Sequence, residues 1–176
     1  MTQSFHHLYL TGYRGSGKTT VGAWLARRLA LPAIDLDDRI EQAAGQSIHQ
    51  IFAVVGEAGF REQESKALTW VAAEPRRIVS LGGGAILRAE NRQIIHASGF
   101  CVWLDIDADS AFERLASDGM TPSRRPALTS LPAREEIATL LQQRAPLYGL
   151  AANARVSVTE KSIDQVGEEI LALLPS

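Results

Sequence analysis

The sequence predicts an α/β protein in which five parallel strands form one sheet with helices over both faces. Three observations carry that prediction. Five short apolar runs recur along the 176 residues. Helical periodicities separate them. A glycine-rich stretch follows the first run directly and opens the first helix. Strands alternating with helices argue for parallel crossovers.

The strands are expected at 8–10, 33–35, 77–81, 100–104 and 155–158. Parallel strands are buried on both faces and read as near-continuous apolar runs, as RIVSL and FCVWL do. The first helix is expected over 18–30, where Val21, Leu25, Ala26 and Leu29 share one face. Acids at 35–38 precede a helical stretch, RIEQAA. Ser47 is a plausible N-cap for 47–55, with Ile48, Ile51, Phe52 and Val55 on one face. Residues 57–73 carry Phe60, Ala67, Leu68 and Val71, and further helices are expected at 108–117, 133–145 and 163–174. The stretch 117–132 holds three prolines, a glycine, hydroxyl residues and two arginines, and reads as a surface lid or binding loop. With no linker or repeat elsewhere, the expected organisation is one domain over 1–176, with an acceptor-binding region at about 33–62 and the lid at about 117–132.

Composition excludes several classes. A net charge of −2 offers no domain-wide basic stripe, which argues against a nucleic-acid partner. No run reaches the roughly 18 apolar residues of a membrane span. The one cysteine, Cys101, forms no internal disulfide and lies in an apolar run, so it reads as core. No basic start followed by a long apolar stretch marks a signal peptide, and a cytoplasmic protein is expected.

The stretch GYRGSGKT, residues 12–19, fits G-x-x-x-x-G-K-[ST] at every fixed position, with a strand before it and a helix after. Gly12, Gly15 and Gly17 permit backbone conformations closed to other residues. Successive N–H groups, including that of Ser16, can then line one concavity for anionic oxygens. The helix that starts near Lys18 adds its N-terminal dipole. Lys18 can carry positive charge to the β and γ phosphates, and the Thr19 hydroxyl can ligate Mg²⁺. Thr20 either touches the α-phosphate or caps the helix. Arg14 is expected to point to solvent.

A phosphate cradle says only that a nucleoside triphosphate binds. The acceptor side must come from elsewhere. Asp35, Asp37 and Asp38 crowd the end of the second strand, and ligands of open α/β sheets sit beyond such ends. They suit hydroxyl groups and a hydrated Mg²⁺, or equally form an N-cap cluster. Arg61 in GFREQE could grip a carboxylate in bidentate fashion, or pair with Glu57 or Glu64 on a helix surface. Gly82, Gly83 and Gly84 follow the third strand and suggest a bare backbone wall against a ligand.

These motifs, in the order GxxGSGKT, D-x-D, FR-x-x-E, LGGGA, RRP and RAPLY, resemble the shikimate kinase family over essentially the whole chain. The resemblance implies a P-loop, nucleoside-monophosphate-kinase-like three-layer fold. It implies ATP- and Mg²⁺-dependent phosphorylation of the 3-hydroxyl of shikimate, a step of aromatic amino acid biosynthesis, by a monomer. By the same resemblance, Lys18 contacts the transferring phosphoryl group, Thr19 binds Mg²⁺ and Asp35 reaches the metal through water. Asp37 holds the acceptor hydroxyl and accepts its proton. Arg61 and Arg144 grip the shikimate carboxylate, and Gly82, Gly83 and Gly84 line the substrate. Arg125 is the lid arginine, although Arg124 stands beside it, and Arg114 packs by the adenine. Rival readings are another small-metabolite kinase of the fold, such as a gluconate kinase, and a nucleotide-binding module without acceptor chemistry.

Overall fold

The chain runs β1 (His7–Thr11), α1 (Lys18–Leu29), β2 (Ala33–Asp35), α2 (Leu36–Ala44), α3 (Ile48–Ala72), β3 (Ile78–Ser80), a 3-10 turn (Ala85–Leu87), α4 (Ala89–Ser98), β4 (Gly99–Asp105), α5 (Ala108–Ser117), α6 (Ala133–Ala151), β5 (Ala154–Ser157) and α7 (Ile163–Leu173). The computed structural model describes residues 5–117 and 132–175. Most of the expected lid, with Arg124 and Arg125, lies outside them.

Five described strands form one parallel sheet in the order β2-β3-β1-β4-β5. The strand bearing the glycine-rich loop is therefore central. Side chains alternate across it with the period-two geometry of a strand. Leu8 and Leu10 join Val102, Leu104 and Val156 in one core, with Val21 and Leu25 of α1 and Val166 and Ile170 of α7. Tyr9 joins Val79, Cys101 and Trp103 in the other, with Phe60 and Leu68 of α3 and Ile95 of α4. Cys101 is wholly buried, and burial pushes its thiol far above the ordinary range. Among the described residues, no helix is long and apolar enough to cross a membrane.

Three elements differ from expectation for physical reasons. The two helical segments expected at 47–55 and 57–73 are one long α3 kinked at Gly56, whose φ of 67° and ψ of −174° are open chiefly to glycine. Its start is the expected Ser47 N-cap, reinforced by Gln50 into a capping box. Helix α4 was not foreseen, because its apolar signal is only the adjacent pair Ile94 and Ile95. It docks partly through a polar residue, with buried Asn91 donating to the Ala85 carbonyl at 2.8 Å. Helix α6 continues past Pro146 to Ala151, six residues beyond the expected end. Its extension buries Tyr148 and Ala151, and the Tyr148 ring stacks on Trp103 with centroids 5.6 Å apart. Tertiary packing there overrides the proline's local preference.

His7, at the start of β1, is fully buried. Burial, and secondarily the neighbouring His6, hold its pKa below the ordinary 6.5. The native chain thus binds fewer protons here than the unfolded chain. This contribution to stability stands in full above about pH 6.5 and is lost as pH falls toward the lowered native value. Urea midpoints measured from pH 8 down to 5 should fall, and His7→Phe should flatten that slope.

Candidate active site

At the end of β1 the chain turns at Gly12, whose φ is 145°. A methyl group there would drive into the Leu104 carbonyl oxygen on β4 and crowd Ser16 Oγ. Only a bare backbone fits between those two elements. Gly15, with φ 79°, lies against Ala111, Arg114 and Leu115 of α5. Gly17, with φ 86°, is the N-cap of α1, and no side chain caps that helix. The amides of its first turn are therefore left for an anion. Thr20 is exposed in that turn and does not act as the cap. Ser16 is buried, and its Oγ has no hydrogen-bond partner among the described residues. Lys18 Nζ donates to the carbonyls of Gly12 at 3.0 Å and Tyr13 at 2.9 Å, which holds the ammonium at the loop. Arg114 donates to the carbonyls of Gly15 at 3.2 Å and Val158 at 3.0 Å, so it flanks the cradle from α5.

Of the acids at the end of β2, one takes the N-cap role the sequence offers and also binds Thr19. Asp35 is the N-cap of α2, accepting from the Asp37 amide at 3.0 Å through Oδ1. Its other oxygen, Oδ2, accepts from the Thr19 hydroxyl at 2.8 Å. The two candidate metal-holding groups are thus joined directly across 16 residues of sequence. Asp37 sits half-buried in the first turn of α2, while Asp38 is exposed.

Arg61 on α3 is an inward group. Its side chain is 11% exposed, and Nη1 donates to Glu64 at 2.7 Å, with a weaker contact to Glu57 at 3.4 Å. The surface pair anticipated as an alternative exists, but its Glu64 end is buried. Burial pushes the Glu64 carboxyl above the usual range, while the charges of Arg61, Arg144 and Arg88 pull it back. Arg61 thus pairs directly with Glu64, while the positive charges of Arg144 and Arg88 act on the same carboxylate. Arg88 was missed by sequence reasoning, because nothing in its spacing sets it apart from a surface arginine.

The glycine triplet is where both sides meet. A methyl group on Gly83 would lie 3.3 Å from the Gly12 carbonyl oxygen and 3.7 Å from the Arg14 amide nitrogen. One on Gly84 would lie 2.5 Å from Arg61 Nη2. Arg144 on α6 is buried rather than solvated, and donates to the Gly83 carbonyl at 3.3 Å. Tyr148, one turn later, donates to the same oxygen at 2.7 Å. Gly82 accepts from the Ala85 amide at 3.0 Å, which starts the 3-10 turn. The triplet thus touches the phosphate loop on one side and both expected carboxylate-gripping arginines on the other.

Arg14 corrects an expectation. It does not point to solvent: its side chain is 16% exposed and pairs with Glu136 of α6 at 3.2 Å. A groove of about 510 Å³ between α2 and α3, lined by residues including Arg39, Lys66 and Trp70, contains none of the expected site residues.

Residues 14–175 match the shikimate kinase family. The chain is 47% identical over 170 residues to the shikimate kinase of Rhodopirellula baltica, covering 97% of this chain and 91% of that one. It is similar to the solved structure of Acinetobacter baumannii shikimate kinase in complex with shikimate, with a TM-score of 0.89 and 32% identity over 97% of this chain and 93% of that one. The Bacteroides thetaiotaomicron shikimate kinase structure gives a TM-score of 0.83 at 33% identity, covering 96% of this chain and 97% of that one.

Glu64→Ala should leave the Arg61 charge buried without its closest partner. The expected cost is about 3 kcal/mol, as for breaking a buried pair from one side. Urea unfolding would read it, and Glu64→Gln, which keeps a hydrogen-bond acceptor, should cost less.

Proposed function

The chain belongs to the shikimate kinase family, and we propose that it transfers the γ-phosphoryl group of ATP to the 3-hydroxyl of shikimate within one kinase domain. The observation that supports this most is the convergence on Gly83 and Gly84 of the phosphate loop, Arg61 and Arg144. A triphosphate in the Gly12–Gly17 cradle and a carboxylate held by two arginines would then share one wall.

The roles follow from chemistry. The loop amides of Gly12, Gly15, Ser16 and Gly17, with the exposed Thr20 at the helix start, would hold the phosphates. Lys18 would leave its two carbonyl partners for the β and γ oxygens and spread the charge that develops there. Arg114, fixed between the phosphate loop and Val158, would flank the adenine. Asp37 would align the acceptor alcohol and take its proton as the oxygen bonds to the γ-phosphorus and ADP departs. Arg61 and Arg144 would fix the acceptor through its carboxylate, so the reacting hydroxyl is placed by a remote charge.

The Thr19 hydroxyl and the Asp35 carboxylate form a hard-oxygen pair that fits Mg²⁺, with Asp35 acting through water. No cluster of three or more His, Cys, Asp or Glu that could cage a metal is found among the described residues. That fits a cation held chiefly by substrate phosphates. When bound, Mg²⁺ supplies charge neutralisation on the phosphates. Arg125 lies outside the described residues, and its role over the transferring phosphoryl group rests on the RRP motif alone. The net charge of −2, with no domain-wide basic stripe, supports a small-molecule acceptor rather than a nucleic-acid partner. A nucleotide-binding module without acceptor chemistry would have no use for two buried arginines on a glycine wall.

ADP release with and without shikimate tests the reading directly. Release that does not depend on shikimate would end it. Lys18→Ala should abolish transfer while the unfolding transition persists. Arg61→Ala should raise the shikimate KM at least tenfold and spare the ATP KM. Arg61→Lys should also be impaired, because a point charge does not replace a planar fork.

A further inference from the structure

Arg14 occupies a variable position of the phosphate loop, yet its side chain does not serve the loop. It leaves between Gly12 and Gly15 and reaches α6, where Nη2 donates to Glu136 Oε1 at 3.2 Å across 122 residues of sequence. Both side chains are well shielded, at 16% and 7% exposure. Arg14 Nε is buried and has no acceptor among the described residues. A charged side chain is costly to hold in such a place unless its geometry is fixed by its partner.

The partner lies on an informative face. From Glu136 the positions at steps of four are Leu140, Arg144 and Tyr148, which fall on one side of a helix. All four are buried. Glu136 meets the phosphate loop, while Arg144 and Tyr148 both donate to the Gly83 carbonyl. One face of α6 is therefore fastened at its first turn to the nucleotide side of the site and, two turns on, to the acceptor wall. The Arg14 backbone amide itself lies near Gly83. Sliding or rotating α6 would move Glu136 and Arg144 together.

We propose that Arg14 is a positioning residue which, through Glu136, sets the placement of Arg144 against the acceptor wall. The inference rests on the reading of Arg144 as a grip on the acceptor carboxylate. The Arg14–Glu136 brace fixes where that guanidinium stands relative to the triphosphate cradle. It makes an arginine of the donor loop a determinant of acceptor affinity without touching the acceptor.

The test is a double-mutant cycle on the full chain, with Arg14→Met, Glu136→Met and both together. Initial rates give kcat and both KM values. Each single change should raise the shikimate KM by about fivefold, at the low end of typical coupling between sites. The double change should do no more than either single change, because both break the same link. Arg14→Lys, which can still reach an acid, should recover part of the loss. A lowered unfolding temperature with unchanged shikimate KM would reduce the pair to a structural role and overturn the proposal. So would additive effects on KM. An Arg14→Met effect that Glu136→Met does not share would assign Arg14 a direct contact and also overturn it. If wild-type turnover does not require shikimate, the functional reading itself fails. The proposal is then overturned with it, and wild-type turnover alone distinguishes that case from a broken brace.

Discussion

Everything at this site depends on two stretches of bare backbone being allowed to touch. Strand β3 lies beside β1 with Leu10 opposite Ser80, so the loops leaving both strands rise side by side. The Leu81 amide extends the pairing to the Leu10 carbonyl at 2.9 Å, and Ser80 Oγ ties the strand end to the Lys18 carbonyl at 3.0 Å. Just beyond, Gly83 comes against Gly12, where a Cβ would lie a tight 3.3 Å from the Gly12 carbonyl oxygen. A doubly wound sheet presents its ligands at such strand ends. Glycine on both loops is what lets the two strand ends come this close.

Charge is distributed around that contact in a way that hydrophobic packing alone would never select. Arg61 and Arg144 come from α3 and α6, helices separated by 60 residues of sequence. Both are nearly buried, and both press on the same glycine wall. Glu64 answers them only in part. Its own burial opposes its ionisation while three arginines favour it. Positive charge left over in a sheltered place attracts a planar anion in two-point fashion, and water competes poorly there. The acid therefore holds Arg61 directly, while Arg144 is held by the Gly83 carbonyl.

Much of this could be read from the chain. The phosphate loop was legible because its chemistry is local: glycines, a lysine and a hydroxyl within eight residues, between a strand and a helix. The central strands β1, β3 and β4 were legible because buried parallel strands read as near-continuous apolar runs. The N-cap role of Asp35 was legible, whereas its bond to Thr19, 16 residues away, was not. What could not be read was anything set by contacts between distant segments. Helix α4 has almost no amphipathic signal because a buried asparagine secures it. The continuation of α6 through Pro146 is decided by Tyr148 finding Trp103 and Gly83. Arg14 looked like a surface residue because its partner lies on another helix, and Arg88 acquires meaning only beside Glu64.

The lone cysteine carries a practical consequence. Cys101 lies mid-strand in β4, opposite Tyr9 in register, and its amide is held by the Asn153 side chain at 2.8 Å. A thiol so enclosed is inert toward alkylating reagents while the sheet stays closed. The natural chain is thus already a clean background for attaching a spectroscopic label at any newly introduced surface cysteine. Conversely, the slow modification of Cys101 itself would clock the rarest openings of the sheet centre.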